Sequence, residues 1–326
     1  MIPAVLVVST IFAFGVYARP QALAKALRGF DYLYLVPILC LAMANYLIRF
    51  ARWQFLLRVI GVEVERRRSL DIFFSGLAMS VTPGKLGELF KCLMLKREVD
   101  ARYAATVPVV LDERLTDLVA VVLLAAVGVA RYPAGRVVFV AGLAAVAALV
   151  AVLAFSPRLA ERLAPWLSRR SARRGVVEGT RETATTFVAL LKARTFAWAV
   201  LLGVAAWSCE CLAFWLVFRG LHWQGVSLQA ATFVYAVATL AGAISLLPGG
   251  LGVTEGTMAA LLAVLAVPRA VAVAATLIIR ACTLWFAVVL GVAAYALHMR
   301  RLARTAGALS AVPADGAHLL RGLGGP

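Results

Sequence analysis

The chain has 326 residues, 63% of them hydrophobic, and its mean hydropathy of +0.90 is far above that of a soluble domain. Its formal net charge of +17 suggests nucleic acid, but the basic residues flank apolar runs and no DNA-binding motif accompanies them. We therefore predict an all-α polytopic membrane protein whose partners are membrane lipids and not nucleic acid. Five cysteines without metal or disulfide spacing, and the lack of a P-loop, predict neither a metal site nor a cofactor.

About six apolar runs predict membrane-spanning helices, since roughly 20 apolar residues cross a bilayer as a helix. In chain order they are residues 2–17 (a short first span), 31–51, 111–129, 137–155, 195–218 and 270–297. Two further apolar stretches, 70–95 and 228–266, are each interrupted by proline and glycine. A continuous helix is not expected in either stretch, because proline removes a backbone hydrogen bond and glycine adds conformational entropy.

The segment 156–194 differs in composition from its surroundings, with nine Lys and Arg residues. Its apolar residues at helical spacing are Leu159, Leu163, Trp166 and Leu167. Two interpretations remain open: an amphipathic helix in the membrane interface, or a solvated cytoplasmic linker with one packed face. The tail 299–326 turns rich in glycine and alanine, and we expect it to be disordered.

The two interrupted stretches contain a repeated motif. The second break reads Ser245-Leu-Leu-Pro248-Gly249-Gly250-Leu-Gly252-Val-Thr-Glu255, and 165 positions earlier the first break reads Ser80-Val-Thr-Pro83-Gly84-Lys-Leu-Gly87-Glu88. Ser, Pro, Gly, Leu and Gly recur at the same spacing, and each motif ends in a glutamate. Within hydrocarbon, freed backbone groups survive only against protein or a water-filled cavity. Each break therefore predicts a re-entrant broken-helix hairpin and a candidate binding site.

The positive-inside rule favours a cytoplasmic N-terminus with both hairpins re-entrant. This arrangement places 23 of the 33 Lys and Arg residues in cytoplasmic loops and 7 in outside loops. The cytoplasmic loops are then 49–70, 91–102, 156–194 and the tail. Both termini are expected in the cytoplasm, and the protein in the cytoplasmic membrane. The first outside loop, with Arg19, Lys25 and Arg28, fits this topology least well.

The same topology relates the two motifs by an inverted repeat. Each half contains two spans, a re-entrant pair and a third span, and the second half starts on the opposite side of the membrane. We expect one integral-membrane domain, residues 1–298, with repeat halves at about 1–131 and 136–298. Inverted repeats place substrate sites near the bilayer midplane in many transporters.

Charged residues inside the apolar segments are the next candidates, because a charge at such depth needs a partner or water. Glu113 and Asp117 share one helix face, and Arg280 follows Arg114 by 166 positions, close to the repeat offset. Each half then contributes one glutamate and one arginine. These residues are either salt bridges that hold the hairpins or ligands for a lipid headgroup. Glu210 is a proton site or merely faces a polar partner.

A short helix that begins after Pro-Gly directs its N-terminal N–H groups at the membrane interior, where they suit a lipid phosphate. We predict that two such helices meet near the midplane around a headgroup. The candidate substrate-binding residues are Ser80, Pro83, Gly84, Gly87, Glu88, Lys91, Glu113, Arg114, Asp117, Ser245, Pro248, Gly249, Gly250, Gly252, Glu255 and Arg280.

Four stretches also carry a family resemblance: Arg52-Trp53, the first break with Lys91, Glu113-Arg114-Leu-Thr-Asp117, and the second break. Over residues 1–298 the chain resembles the flippase-like family named after the transmembrane region of lysylphosphatidylglycerol synthase. The family pattern more often has Arg where this chain has Lys91. Lysylphosphatidylglycerol synthases also append a soluble aminoacyl-transferase domain, which we do not expect here because only about 28 residues follow the last span. The resemblance therefore implies the translocation half without the synthase half.

The resemblance implies movement of aminoacylated phospholipids, polyprenyl-linked sugars or hopanoids between leaflets. We expect a lipid translocase without chemistry of its own. One alternative is a membrane enzyme that acts on a lipid-linked substrate, with Glu88 or Glu255 as general base. The other is an accessory subunit in cell-envelope biosynthesis, and a separately encoded lipid-biosynthesis enzyme is a candidate partner. The sequence contains no nucleophile–base pair and no Asp-rich metal motif, and this absence argues against the enzyme.

Overall fold

A computed structural model describes residues 19–82, 87–167 and 174–310 of the chain. Side chains are described within these ranges except at 152–177, 180 and 302–310. The expected first span, 2–17, and the Pro83 and Gly84 of the first break lie outside the described residues. The described part of the chain is helical and contains no strand, which confirms the all-α fold class.

The helices are α1 (Pro20–Arg28), α2 (Leu35–Val59), α3 (Arg66–Leu77), α4 (Phe90–Val99), α5 (Tyr103–Val129), α6 (Arg136–Leu167), α7 (Arg174–Leu190), α8 (Ala193–Gly220), α9 (Leu228–Ile244), α10 (Val253–Val264), α11 (Arg269–Arg280) and α12 (Phe286–Ser310). A π-helical turn, Ala281–Trp285, joins α11 to α12 without a loop. Short 3-10 turns occur at Tyr32–Tyr34, Pro133–Gly135 and Pro248–Gly250.

Four helices in the described residues are long and apolar enough to cross a membrane, and each matches an expected span. They are Tyr32–Val59, Pro133–Ala151, Ala193–Gly220 and Arg269–Arg301. The expected span 111–129 forms the second part of α5, whose 27 residues include a charged sequence at 112–117. The described chain is thus a polytopic helical membrane protein.

Three helices extend beyond the ends that the sequence predicts. Helix α2 continues to Val59, so Arg49 and Arg52 belong to the helix and not to a loop that starts at residue 49. Helix α6 runs to Leu167, past the expected boundary at 155. Helix α12 runs to Ser310, so the first part of the expected tail is helical, while residues 311–326 lie outside the described residues and their disorder stays a prediction. Hydropathy ends a span at its first charges, whereas a helix continues wherever those charges find partners or water.

The segment expected to be an interfacial helix or a linker contains α7, which packs against α5 and α6. Ala184, Phe187 and Leu190 form its buried face. Glu182, on another face, forms an ion pair with Arg102 at 3.2 Å. This part of the basic segment therefore packs on the helical bundle through one apolar face.

Helices of one half pack mainly against helices of the other half. Helix α2 lies along α8, helix α9 packs on α5, and α3 packs on α12. Small residues permit these close approaches, as is typical of membrane helices. At Gly291 of α12, an added Cβ would lie only 2.1 Å from the backbone nitrogen of Ala78, directly after α3. The first helix of each interrupted stretch therefore contacts the long helix that follows the other stretch.

Candidate functional site

The second break is a turn of glycines in left-handed conformations. Gly249, Gly250 and Gly252 have φ angles of 61°, 65° and 84°, which side chains with a Cβ rarely adopt. Pro248 opens this turn after α9, where its fixed φ and missing N–H prevent the helix from continuing. The sequence Pro-Gly-Gly thus produces the helix break that it predicts.

Glu255 closes the turn from the first helical positions of α10. Its Oε2 accepts a hydrogen bond from the Gly252 N–H at 2.6 Å, and its Oε1 accepts one from Arg280 Nε at 2.5 Å. Arg280 also donates to the carbonyl of Gly249 at 2.6 Å. The carboxylate of Glu255 thus uses one N–H group at the N-terminus of α10, the Gly252 N–H, and the anion site expected there stays a prediction.

The first half contains the same kind of pair. Glu88 lies just before α4 and forms an ion pair with Arg114 of α5 at 2.9 Å. Arg114 also contacts Asp117 at 3.1 Å, and Glu113 accepts a hydrogen bond from Lys91 at 2.5 Å. Arg114 and Arg280, matched by the repeat offset, are therefore each held by the glutamate that ends a break motif.

Two arginines that sequence reasoning assigned to a loop converge on Asp117. Arg52 donates to Oδ1 of Asp117 at 2.7 Å, and Arg49 contacts Oδ2 at 3.3 Å. Trp207 of α8 donates its indole N–H to the same carboxylate at 3.2 Å. The signal for the arginines was available, because positions 49 and 52 lie on one helix face at i and i+3. Trp207 has no signal in the sequence.

We refer to Arg49, Arg52, Glu88, Lys91, Glu113, Arg114 and Asp117 as the α5 ion cluster. Lys91, which is 3% exposed, lies in its interior with Nζ 4.4 Å from the centre of the Trp53 ring. Trp53 in turn donates to the hydroxyl of Ser69 in α3 at 3.2 Å. The cluster thus connects α2, α3, α4 and α5 around buried charges. Such charges are stable inside a protein only when each has a partner.

A cavity of about 460 Å³ lies between the two halves, a volume typical of small-molecule sites. Of the predicted site residues, it is lined by Ser80, Arg114, Asp117, Gly249, Gly250 and Arg280. Arg49, Trp207 and Glu210 also line it. The structure thus brings the Arg114 of one half and the Arg280 of the other to a single space.

The other predicted site residues that the structure describes do not line the cavity. Those outside the lining are Gly87, Glu88, Lys91, Glu113, Ser245, Pro248, Gly252 and Glu255. Glu88 and Glu255 contact the cavity through the arginines that they bind. The hydroxyl of Ser245 donates to the carbonyl of Gly242 and stabilises the end of α9.

The two breaks meet at the cavity. A Cβ added at Gly249 would lie 3.7 Å from the Cα of Val81 and 3.3 Å from Leu284 of the π turn. The tip of the second break therefore contacts the start of the first; entry of the two breaks from opposite sides of the membrane stays a prediction. Gly249 keeps this contact close because it has no side chain.

One wall of the cavity is apolar and reaches the surface. Leu118, Val121 and Leu149 line it from α5 and α6, and Leu246, beyond the end of α9, is 66% exposed. Because Leu246 is both exposed and part of the lining, the cavity opens at this side of the protein. A lining that combines guanidinium groups with apolar side chains, in a cavity open to the surface, fits an amphiphilic molecule.

Two cavity arginines retain donors that no described residue uses. The Nε atoms of Arg49 and Arg114 are buried and have no hydrogen-bond acceptor in the described part of the chain. Buried donors without an acceptor are rare in native proteins and often mark a functional group. Farther along the wall, the hydroxyl of Tyr235 donates to Glu210 at 2.6 Å, which gives Glu210 its polar partner.

These features define a class: a multi-pass helical membrane protein with a cavity, lined by charged residues and open to the surface, between two helix breaks. The model of the family described as the lysylphosphatidylglycerol synthase TM region matches residues 1–291, and the chain belongs to this family. The predicted resemblance is thereby confirmed. Family membership and the apolar helices together identify a membrane protein that acts on lipids. No curated protein matches the chain.

Proposed function

We propose that the protein is a flippase-like translocase that moves an anionic, glycosylated or aminoacylated lipid, or a hopanoid, across the cytoplasmic membrane. One observation carries this proposal: the cavity is lined by Arg114 and Arg280 from opposite halves and by an apolar wall open to one side. A lipid whose headgroup enters the polar end leaves its chains on the apolar side. The cavity thus matches both parts of a lipid.

Guanidinium groups suit the phosphate of such a headgroup, because their N–H donors bind two oxygens at once. Arg114 and Arg280 are 20% and 13% exposed, and a carboxylate behind each fixes its position. The unused Nε of Arg114 adds a donor for a ligand oxygen. Glu88 and Glu255 act in this proposal as positioning residues and do not bind the lipid directly.

An inverted repeat with two re-entrant hairpins explains how the cavity could face either side. Helices α3, α4 and α10 have 12, 10 and 12 residues, about 15–18 Å of helix, whereas the hydrocarbon core measures about 30 Å. None of them is long enough to cross alone. The exchanged packing of α9 on α5 and of α3 on α12 also supports a two-fold relation between halves.

We propose no chemical step for the protein. Both oxygens of Glu255 are engaged, by the Gly252 N–H and by Arg280, and Glu88 is bound to Arg114. A general base needs a lone pair within reach of a substrate proton, and neither Glu88 nor Glu255 lines the cavity. This arrangement favours the translocase over the enzyme.

The test is reconstitution of the full chain in vesicles with a leaflet-specific assay. Headgroup-labelled phosphatidylglycerol, an aminoacylated phospholipid, a polyprenyl-linked sugar and a hopanoid are compared with phosphatidylcholine. We expect at least one of the first four to change leaflets faster than in protein-free vesicles, and phosphatidylcholine not to do so. Equal rates with and without protein for the whole panel would refute the translocase.

A further inference from the structure

Asp112 of α5 is a buried carboxylate that the α5 ion cluster does not use. Its side chain is fully buried, and neither oxygen has a hydrogen-bond donor among the described residues. The other carboxylates of this helix are well partnered: Glu113 is bound by Lys91, and Asp117 by Arg49, Arg52 and Arg114. Asp112 therefore differs from its neighbours in a way that burial alone does not explain.

An ionised carboxylate without donors is very costly inside a protein, and binding a proton removes that cost. Asp112 lies nine residues into α5, about 14 Å along the axis, in a span of the bundle. The face of α7 that packs on this part of α5 is apolar, through Phe187 against Leu115. With the side chains placed as observed, these surroundings thus favour the neutral, protonated form of Asp112.

Among the described side chains, one cation lies close enough to respond to Asp112. The charged groups near its carboxyl are Arg52 of α2 and, on its own helix, Glu113 and Asp117. Arg52 donates to Asp117 and to the hydroxyl of Thr116, one helical turn from Asp112 on the same face. The Nε of Arg52 is buried and has no acceptor within the described ranges. Arg52 therefore has a free donor beside a carboxyl group that lacks one.

We propose that Asp112 is a proton-binding site whose occupancy controls where Arg52 binds. With a proton taken from water, Asp112 is neutral and Arg52 remains on Asp117 and Thr116, as observed. When the proton returns to water, the carboxylate attracts Arg52 and weakens its hold on Asp117. Because Asp117 lines the cavity and contacts Arg114, the proton state of Asp112 reaches the cavity wall.

The charge balance of the cluster gives this site a role in transport, a step that rests on the proposed function. With Asp112 neutral, four cations face three carboxylates; with Asp112 ionised, four face four. A neutral Asp112 therefore favours an anionic headgroup at Arg114. By linkage, the anionic headgroup must favour the protonated acid to the same extent. Proton binding and anion binding at this site are thus mutually reinforcing.

Infrared spectroscopy of the full chain tests the proton site without a transport assay. In phosphatidylcholine vesicles at neutral pH, we expect the C=O band of a protonated carboxylic acid that shifts when aspartate is ¹³C-labelled. The band should disappear in Asp112→Asn, which has the shape of the neutral acid, and persist in Asp71→Asn, whose carboxylate pairs with Arg301 near the surface. A band unchanged in Asp112→Asn would overturn the proposal.

The labelled wild-type protein keeps the test decisive even if Asp112→Asn does not fold. The chain contains six aspartates, and Asp117 is the only other buried one that the structure describes. Three bound arginines keep Asp117 ionised, so a label-sensitive acid band at neutral pH belongs to Asp112. The absence of any such band in the wild-type protein would refute the proton site.

Adding phosphatidylglycerol to the vesicles tests the link to anions separately. We expect the band to persist to higher pH, and this shift to vanish in Arg114→Gln. The negative surface potential of the lipid raises the pH at which the band is lost by the same amount in the wild-type protein and in Arg114→Gln. Only the difference between the two shifts therefore reports the coupling. Equal shifts would refute the coupling and leave the proton site standing. Failure of the translocase assay with a normal infrared result would instead reject the proposed function alone.

Discussion

Single side chains in this protein serve the fold and the cavity together. Glu255 caps α10 through the Gly252 N–H and holds Arg280 with its other oxygen. Glu88 holds Arg114 in the same manner at the end of the first break. The sequence leaves open whether these residues form salt bridges or bind a headgroup, and headgroup binding stays a prediction. The glutamates make the salt bridges, and the arginines face the cavity.

Glu255→Gln separates the two tasks of this residue. Glutamine still accepts the Gly252 hydrogen bond, so we expect normal protein levels. Its neutral amide holds Arg280 less firmly, and transport should fall about tenfold or more, because small misplacements of a binding group are costly. Protein level and leaflet-specific transport are measured together, and loss of the folded protein would show that the pair serves only stability.

Gly249 offers a test with a matched control in the same region. Gly249→Ala places a Cβ at a φ of 61°, which costs about 1 kcal/mol, and crowds Leu284 where the breaks meet. Gly256→Ala, within α10, meets nothing within 4 Å and should stabilise the helix by up to about 1 kcal/mol. We expect reduced transport in the first variant only. Equal transport in both would contradict a role for the contact between the breaks.

At the scale of elements, the long helices carry the cavity arginines and also hold the interrupted stretches. Helix α11 ends at Arg280, the π turn follows, and α12 then packs on α3. In the π turn, the carbonyl of Thr283 accepts a hydrogen bond from Tyr46 at 2.7 Å. π turns within helices often occur at functional sites. Here the turn links the second-half arginine to a helix of the first half.

Gly291→Ala tests the packing of α12 on α3. The added methyl would lie 2.1 Å from a backbone nitrogen, so the helices must separate, and we expect a loss of about 2 kcal/mol or more in stability. Thermal unfolding in detergent measures the effect, with Gly256→Ala as the control. An unchanged unfolding temperature would show that this helix contact is looser than the structure indicates.

The sequence predicted elements well where periodic or repeated patterns identify them. The spans follow from hydropathy, and the relation between Glu88–Arg114 and Glu255–Arg280 follows from two copies of one motif. The ends of α2, α6 and α12 were not predicted, because hydropathy does not show which charges find partners. The convergence of Arg49, Arg52 and Trp207 on Asp117 depends on how α2 and α8 pack, which no local pattern records.

At the scale of the whole molecule, the inverted topology remains a prediction that surface chemistry can test. In a variant without the five native cysteines, single cysteines are placed at Val62 and at Gln224. An impermeant thiol reagent added outside intact cells should label the cysteine at 224 and spare the one at 62, which reacts only after lysis. Labelling of both from the same side would refute the inverted repeat, because the breaks would then enter from one side.

Some of the charges used to predict the topology do not lie in loops. Arg49, Arg52 and Lys91 were assigned to cytoplasmic loops, but all three belong to the α5 ion cluster within helices. The triple Arg66–Arg68 at the start of α3 and the basic residues of segment 156–194 still favour the prediction that these regions are cytoplasmic. The prediction of both termini in the cytoplasm therefore depends on fewer charges than the sequence suggests.

In the proposed function, Arg114 and Arg280 come from opposite halves and bind one headgroup in one cavity. The most direct measurement is a double-variant cycle of Arg114→Gln and Arg280→Gln in the leaflet-specific assay, with Arg301→Gln as a surface control. We predict that each cavity variant loses nearly as much transport as the pair together, while Arg301→Gln transports normally. Independent, additive losses, or normal transport in either cavity variant, would contradict a shared site.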